Sequence, residues 1–331
     1  MNQTFQALVV RETSARTYTR TIEERNIGAL PPGDVLIRVQ FSSLNYKDGL
    51  SCIGNRGVTR HYPHTPGIDA AGIVESSESS NFKFGDPVIV TSFDLGMNTP
   101  GGFGQFIRVP SDWVMPLPDG ISLRESMIYG TAGLTAALSL DLLQYHGVSP
   151  EHGPIVITGA TGGVGSVSVA LFAKQGYSVS ASTGKTDADA FLKELGASEV
   201  INRQAVDDKS SMPLLKEVWA GGVDTVGDNT LATLLRSCKQ NGAVVATGLV
   251  RSPNLQTTVF PFILRGVSLL GINAQGSSMA LREKTWRRLA KEWRPKNLEN
   301  LAVDCNLEQL NIAIDRILSG TQRGRVVVNL Q

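Results

Sequence analysis

The run Ile155-Val156-Ile157-Thr158-Gly159-Ala160-Thr161-Gly162-Gly163-Val164-Gly165 constrains this chain more than any other segment. An apolar strand breaks into a glycine-rich turn, and the turn opens a helix whose inner face reads Val164, Val167, Leu171. A strand–turn–helix unit of this kind aims free backbone N–H groups and the positive end of a helix at a pyrophosphate. The turn must be built of small residues because the phosphates come almost against the backbone. The pattern departs from the usual G-x-G-x-x-G: Ala160 stands first, and Gly162 and Gly165 complete it. Its position between a strand and a helix points to a dinucleotide, and so to redox chemistry. The same turn could also pack a helix on a strand without any ligand, or hold a flavin or a substrate phosphate.

At 331 residues the chain is long enough for two domains with their own cores. Hydrophobic residues make up 41% and charged residues 18%, and the net charge is +1. That balance fits a globular protein and argues against nucleic acid or a membrane surface as a partner. Cys52, Cys238 and Cys305 are too widely spaced for a disulfide framework or a metal cluster, which fits a reducing compartment. The N-terminal residues lack the layout of a signal peptide, and no uninterrupted apolar run approaches the ~20 residues of a membrane span. The expected location is cytoplasmic.

The first part of the chain is rich in short strands separated by Gly, Pro, Asp and Asn. Residues 6–10, 34–42, 70–75, 87–91 and 104–110 read as strands of a partly antiparallel, barrel-like module. Residues 123–143 then show helical periodicity, and an alternating strand–helix pattern begins. After the glycine-rich unit, strands are expected at 178–182, 199–202, 223–227, 243–248 and 267–272. Thr186 with Asp189 reads as a helix N-cap, and Gly196 as that helix's end. Such alternation predicts a parallel sheet with right-handed crossovers. The tail, a helix at 279–293 and a strand at 324–330, breaks the rhythm and is expected to return to the first module. The domains predicted are 1–124, 125–272 and the returning 273–331.

The end of the second strand of the parallel sheet discriminates between the two nicotinamide cofactors. An acid about twenty positions beyond the glycines would accept a ribose hydroxyl and repel a 2′-phosphate. Here the chain reads Ser182-Thr183-Gly184-Lys185, two hydroxyls, a loop glycine and an ammonium. These suit a phosphate dianion. Arg203, just beyond the third strand, could reach the same place. The expected cofactor is NADPH. Asp187 and Asp189 lie close by and read as first-turn helix acids.

Further motifs carry a family resemblance across nearly the whole chain. They are Ser43-Leu44-Asn45-Tyr46-Lys47-Asp48, Pro66-Gly67-Ile68-Asp69-Ala70-Ala71-Gly72 and Tyr129-Gly130-Thr131-Ala132-Gly133-Leu134-Thr135-Ala136. Val218-Trp219-Ala220-Gly221, Asp224-Thr225-Val226-Gly227-Asp228 and Pro261-Phe262-Ile263-Leu264-Arg265 are more particular. With these the chain resembles the zinc-independent quinone-oxidoreductase branch of the medium-chain dehydrogenases/reductases, and within it the bacterial acrylyl-CoA reductase group. The resemblance implies an α/β fold: a Rossmann doubly wound parallel sheet, a GroES-like β-barrel domain, and a cleft between them. It also implies a homodimer in which the last Rossmann strand, near 267–272, pairs with its copy. An apolar edge strand left exposed would invite aggregation.

Zinc-dependent relatives carry a Cys in the early motif and a His after the Pro-Gly. Here Asn45 and Ile68 stand in those places, and no cysteine cluster exists, so no metal is expected. His61 and His64 have a metal-like spacing but read as a surface loop. Without a Lewis acid, alkoxide chemistry gives way to reduction of a conjugated double bond or a quinone. The implied reaction is hydride transfer from NADPH to the β-carbon of acrylyl-CoA; a quinone or small enone is the alternative substrate, and a non-catalytic NADPH-binding redox sensor a third reading. The resemblance makes Asn45 and Tyr46 the catalytic candidates, with Tyr46 also positioning the nicotinamide. The implied cofactor contacts are Tyr46, Thr131, Thr161, Gly162, Gly163, Val164, Ser182, Thr183, Gly184, Lys185, Arg203, Gly248, Leu249, Ile263, Asn273 and Arg325. Asp48 and Asp69 read as ties between backbone loops. Residues 93–102 are the candidate substrate lid. Arg56 and Arg60 could meet the phosphates of a CoA thioester; Arg282, Lys284, Arg287 and Arg288 are a second basic group that reads as a solvated helix face.

Overall fold

The computed structural model describes residues 3–14 and 16–331. It divides into two compact units. One contains the chain up to Thr131 together with Gln275–Lys291 and Leu298–Gln331; the other contains Ala132–Ala274 and Glu292–Asn297.

The first unit opens with β1 (Thr4–Ser14) paired antiparallel with β2 (Thr17–Asn26). The run Leu8-Val9-Val10 of β1 is buried, whereas β2 is polar along most of its length. Pairing to β1, with the Arg11–Glu23 ion pair at 2.7 Å across the ribbon, holds as a strand a segment that the sequence alone does not mark as one. Next come β3 (Val35–Ser43), α1 (Tyr46–Cys52), β4 (Asp69–Ser77), β5 (Pro87–Thr91), β6 (Phe106–Val109) and β7 (Met115–Pro116). The helix α2 (Leu123–Tyr145) leaves this unit.

In the second unit β8 (Ile155–Ile157), α3 (Gly163–Lys174), β9 (Val179–Thr183), α4 (Asp189–Glu194) and β10 (Glu199–Asn202) form the first half. The second half is β11 (Trp219–Asp224), α5 (Asp228–Ser237), β12 (Cys238–Ala246), α6 (Phe260–Arg265) and β13 (Ser268–Gly271). The strands lie in the order β10-β9-β8-β11-β12-β13, all parallel. This is the doubly wound order, and it reverses between β8 and β11. In open α/β sheets ligands bind beyond the carboxyl ends of the strands at such a reversal. β8 is fully buried, as strands covered on both faces must be. Two sequence expectations change here. β11 spans Trp219–Asp224 rather than 223–227, because Gly221 and Gly222 lie inside the strand, paired to β8 and β12. α4 begins at Asp189 behind Ala188, which makes no side-chain cap, so Thr186 is not its N-cap.

The chain then supplies the first unit with α7 (Met279–Ala290), β14 (Ala302–Cys305), α8 (Leu307–Leu318) and β15 (Arg325–Asn329). The seven-stranded sheet runs β14-β15-β3-β4-β5-β7, with β6 also on β3. β14 and β15 are parallel and joined through α8, while the other pairs are antiparallel. Leu310 and Ile314 of α8 sit in one core with Val39, Val90, Ile107 and Val328.

α2 is apolar and long enough to cross a membrane, but 83% of its most apolar window is buried and its helical geometry breaks at Gly130. Gly130 has φ 51° and ψ −153°, a conformation open essentially to glycine alone. A Cβ there would lie 2.4 Å from both Asp69 Oδ2 and Ser43 Oγ. Gly130→Ala should therefore cost about 3 kcal/mol or more from strain and overpacking together. Chemical denaturation of wild type and variant measures this, and a loss below about 1 kcal/mol would show that the kink tolerates a side chain.

Candidate active site

In the second unit the glycine-rich turn projects from the carboxyl end of β8, beside the strand-order reversal. Gly159 takes φ +55°, and its carbonyl accepts the Gly162 N–H at 2.8 Å. A Cβ on Gly165 would lie 2.2 Å from the Gly159 oxygen. The first turn of α3 thus packs directly on the loop, and only glycine permits the approach. Gly162 is the N-cap of α3, with no side chain covering the helix end. Thr161, Gly162, Gly163 and Val164 therefore form a cradle of backbone at a helix N-terminus, the chemistry a pyrophosphate needs.

The cradle is braced from β11. Asp224, fully buried, accepts the Thr158 hydroxyl at 2.6 Å and the Gly227 N–H at 2.7 Å. Burial pushes its carboxyl up, against the pull of those donors. Thr225 donates its hydroxyl to the Thr158 carbonyl, and a Cβ on Gly248 would meet the Thr225 oxygen at 2.4 Å. Gly248 and Leu249 therefore lie next to the turn. Leu249 and Ile263 are 62% and 68% exposed, and Asn273, two residues past β13, is also exposed.

Ser182 and Thr183 end β9 and are buried, and the Thr183 hydroxyl oxygen accepts the Lys185 N–H at 3.1 Å. Arg203 follows β10, and its side chain lies on Gly184, where a Cβ would come within 2.8–3.1 Å of Cδ, Nε and Cζ. The sequence pair Lys185 and Arg203 is thus gathered at one loop, with hydroxyls behind it.

In the first unit a buried carboxylate organises the other candidates. Asp69, at the start of β4, accepts hydrogen bonds from Ser43 Oγ (2.6 Å), Asn45 Nδ2 (2.7 Å), Thr131 N (3.0 Å) and Thr131 Oγ1 (2.6 Å). Arg325 is 2% exposed and stands 4.0 Å from it, donating to Ile128 O, Leu44 O and Ser43 Oγ. Because the Thr131 proton goes to Asp69, Ser92 is the donor in their 2.7 Å contact. Asn45 also gives its second amide hydrogen to the Ser43 carbonyl. Three residues expected to contact cofactor or substrate, Asn45, Thr131 and Arg325, are thereby drawn into one internal network. Tyr46 is not: it is 39% exposed, and among the described residues its hydroxyl has no hydrogen-bond partner. Asp48, buried in the first turn of α1, accepts the N–H groups of Asn45, Gly67 and Ile68. Burial pushes its carboxyl up to about 7 despite those three donors, and the Asp69 charge adds to the rise.

Arg56 and Arg60 differ in setting: Arg56 holds an ion pair with Glu12 at 2.5 Å and donates to the Arg60 carbonyl, whereas the Arg60 side chain is exposed. Residues 93–102, the candidate substrate lid, are anchored at their own centre. Leu95 is fully buried, and Asp94 binds Asn98 and Thr99 within the loop. Arg282 does not belong to a solvated face: it is 2% exposed and lies 4.1 Å over the Phe93 ring, which stacks on Trp113. His64 is buried rather than on a surface loop, and burial lowers its pKa. Among the described residues no group of three or more His, Cys, Asp or Glu is placed to hold a metal ion.

The chain matches two family models, the alcohol dehydrogenase GroES-like domain over residues 31–119 and the zinc-binding dehydrogenase over 163–292. It is 42% identical to the acrylyl-CoA reductase AcuI of Ruegeria pomeroyi, over 98% of this chain and 99% of that protein. The crystal structure of Escherichia coli K-12 YhdH with bound NADPH superposes with a TM-score of 0.95 at 40% identity, over 98% of this chain and all of that one. That of Bacillus subtilis YhfP with NAD bound gives 0.96 at 44% identity, over 99% and 100%. Whole-length identity of this order, on a doubly wound sheet joined to a GroES-like domain, makes this chain a member of the medium-chain dehydrogenase/reductase family.

Proposed function

We propose that this chain uses NADPH to reduce an activated C=C bond, with acrylyl-CoA as substrate and propionyl-CoA as product. One observation carries the cofactor half: where an acid would accept a ribose hydroxyl, the chain has Ser182, Thr183, Gly184 and Lys185, with Arg203 lying on Gly184. The similarity to AcuI supports the substrate half.

When bound, NADPH supplies a hydride to the β-carbon. Thr161, Gly162, Gly163 and Val164 receive the pyrophosphate at the head of α3, Lys185 and Arg203 take the 2′-phosphate, and Gly248, Leu249, Ile263 and Asn273 border the cofactor. Tyr46 positions the nicotinamide. As the β-carbon accepts the hydride, the π pair moves onto the carbonyl oxygen as an enolate, and the α-carbon then takes a proton from water. Asn45, with both amide hydrogens already given to Asp69 and the Ser43 carbonyl, orders the loop that carries Tyr46. A free quinone or small enone is the second reading, favoured by the engagement of Arg56 with Glu12, which removes one expected partner for the CoA phosphates.

The protein acts as a cytoplasmic homodimer in this proposal. β13 is an edge strand with Leu269 39% exposed, and Val259, Phe260 and Leu264 add exposed apolar surface. The three cysteines are free and buried, which suits a reducing compartment.

Three measurements check this. Lys185→Ala and Arg203→Ala should each weaken NADPH binding by about 10- to 100-fold, the worth of one charged hydrogen bond, and leave NADH binding unchanged. Fluorescence titration reads both, and an equal loss for the two cofactors would refute the assignment. Steady-state rates with acrylyl-CoA and 1,4-benzoquinone decide the substrate, and turnover of the quinone alone would exclude the thioester. Leu269→Lys should give a monomer in sedimentation analysis; an unchanged mass would place the interface elsewhere.

A further inference from the structure

We infer that Lys47 is the cationic group that stabilises the developing enolate, and that Gln275 positions it. The inference rests on the reductase reading above. Hydride addition to a conjugated carbonyl leaves negative charge on oxygen, and a positioned donor must meet it. Asn45 has no amide hydrogen left to give, and Tyr46 offers a neutral hydroxyl. Lys47 is the next residue of α1, and it is half-buried.

Its ammonium donates to Gln275 Oε1 at 3.1 Å and lies 3.9 Å from Met97 Sδ. Both neighbours are neutral, and among the described residues Lys47 has no carboxylate partner. A half-buried cation held by neutral acceptors keeps its charge uncompensated, which is the state an anion-stabilising group requires.

The acceptor is itself fixed. Arg282, buried, donates to the Gln275 and Ser277 carbonyls at 3.1 Å each and to Thr91 O at 2.8 Å. This guanidinium clamps the 275–277 turn to the end of β5, so Gln275 presents its amide oxygen from a rigid support. The arrangement explains why a helix that looks merely basic in sequence sends one arginine inward.

The test compares wild type with Lys47→Met, Lys47→Arg and Gln275→Leu, on acrylyl-CoA and on 1,4-benzoquinone. NADPH affinity by fluorescence and thermal melting run alongside. On whichever substrate the wild type reduces, Lys47→Met should lower kcat about 100-fold, the usual effect of removing one oxyanion donor. NADPH affinity and Tm should not change. Lys47→Arg should recover much of the rate, and Gln275→Leu should lose about tenfold in kcat with KM little altered. Lys47→Gln replaces Lys47→Met if the latter melts early. A normal kcat for the neutral variants, or a loss confined to NADPH affinity, would overturn the inference. A wild type that reduces only the quinone refutes the thioester reading while still testing Lys47, because a quinone also gains charge on oxygen. Turnover of neither substrate would overturn both.

Discussion

The first unit depends on a carboxylate kept away from water. Asp69 is fully buried, and its oxygens would be costly to leave there without donors around them. It has them from three separate parts of the chain: Ser43 and Asn45 after β3, and the Gly130-Thr131 break in α2, with Arg325 of β15 behind. None of these donors can leave without stranding a buried charge, a loss that commonly costs about 3–5 kcal/mol. The position of Tyr46 and Lys47 follows from this network, because α1 starts where Asn45 is held. The kink at Gly130 follows too, since any side chain there would displace the carboxylate's partners.

The second unit solves a similar problem with the same means. Asp224 is buried at the end of β11 and ties Thr158 and Gly227 to the strand ends around the reversal of strand order. In each unit one buried acid sets the geometry of a loop, and exposed candidate groups lie next to that loop. Residues that hold position are thus distinct from the proposed ligand contacts, although both lie in the same short motifs.

Sequence reading recovered the parts governed by local rules. The glycine turn of 159–165, the polar end of β9 and the alternation of strands and helices depend on spacing and residue type, so they were visible in the chain. What escaped depended on partners far away in sequence. β2 is a strand because β1 pairs with it; Gly221 and Gly222 are strand because neighbours cover them on both sides. Arg282 reads as a surface charge until Phe93 and Thr91 come under it. Asn45 and Thr131 stand out in the sequence as site candidates, but not as residues whose side-chain hydrogens are already given to Asp69 and, for Asn45, the Ser43 carbonyl. Lys47 carried no signal beyond its place in a motif, for its meaning comes from Gln275, 228 positions later.

The Asn45–Asp69 bond also bears on how such a chain can change over evolution. A cysteine at position 45 would remove an amide donor from a fully buried carboxylate. Position 45 is therefore tied to Asp69, 24 residues away, as well as to the loop that carries it. An exchange at position 45 would have to be matched by new partners for position 69, so the two positions are expected to change together.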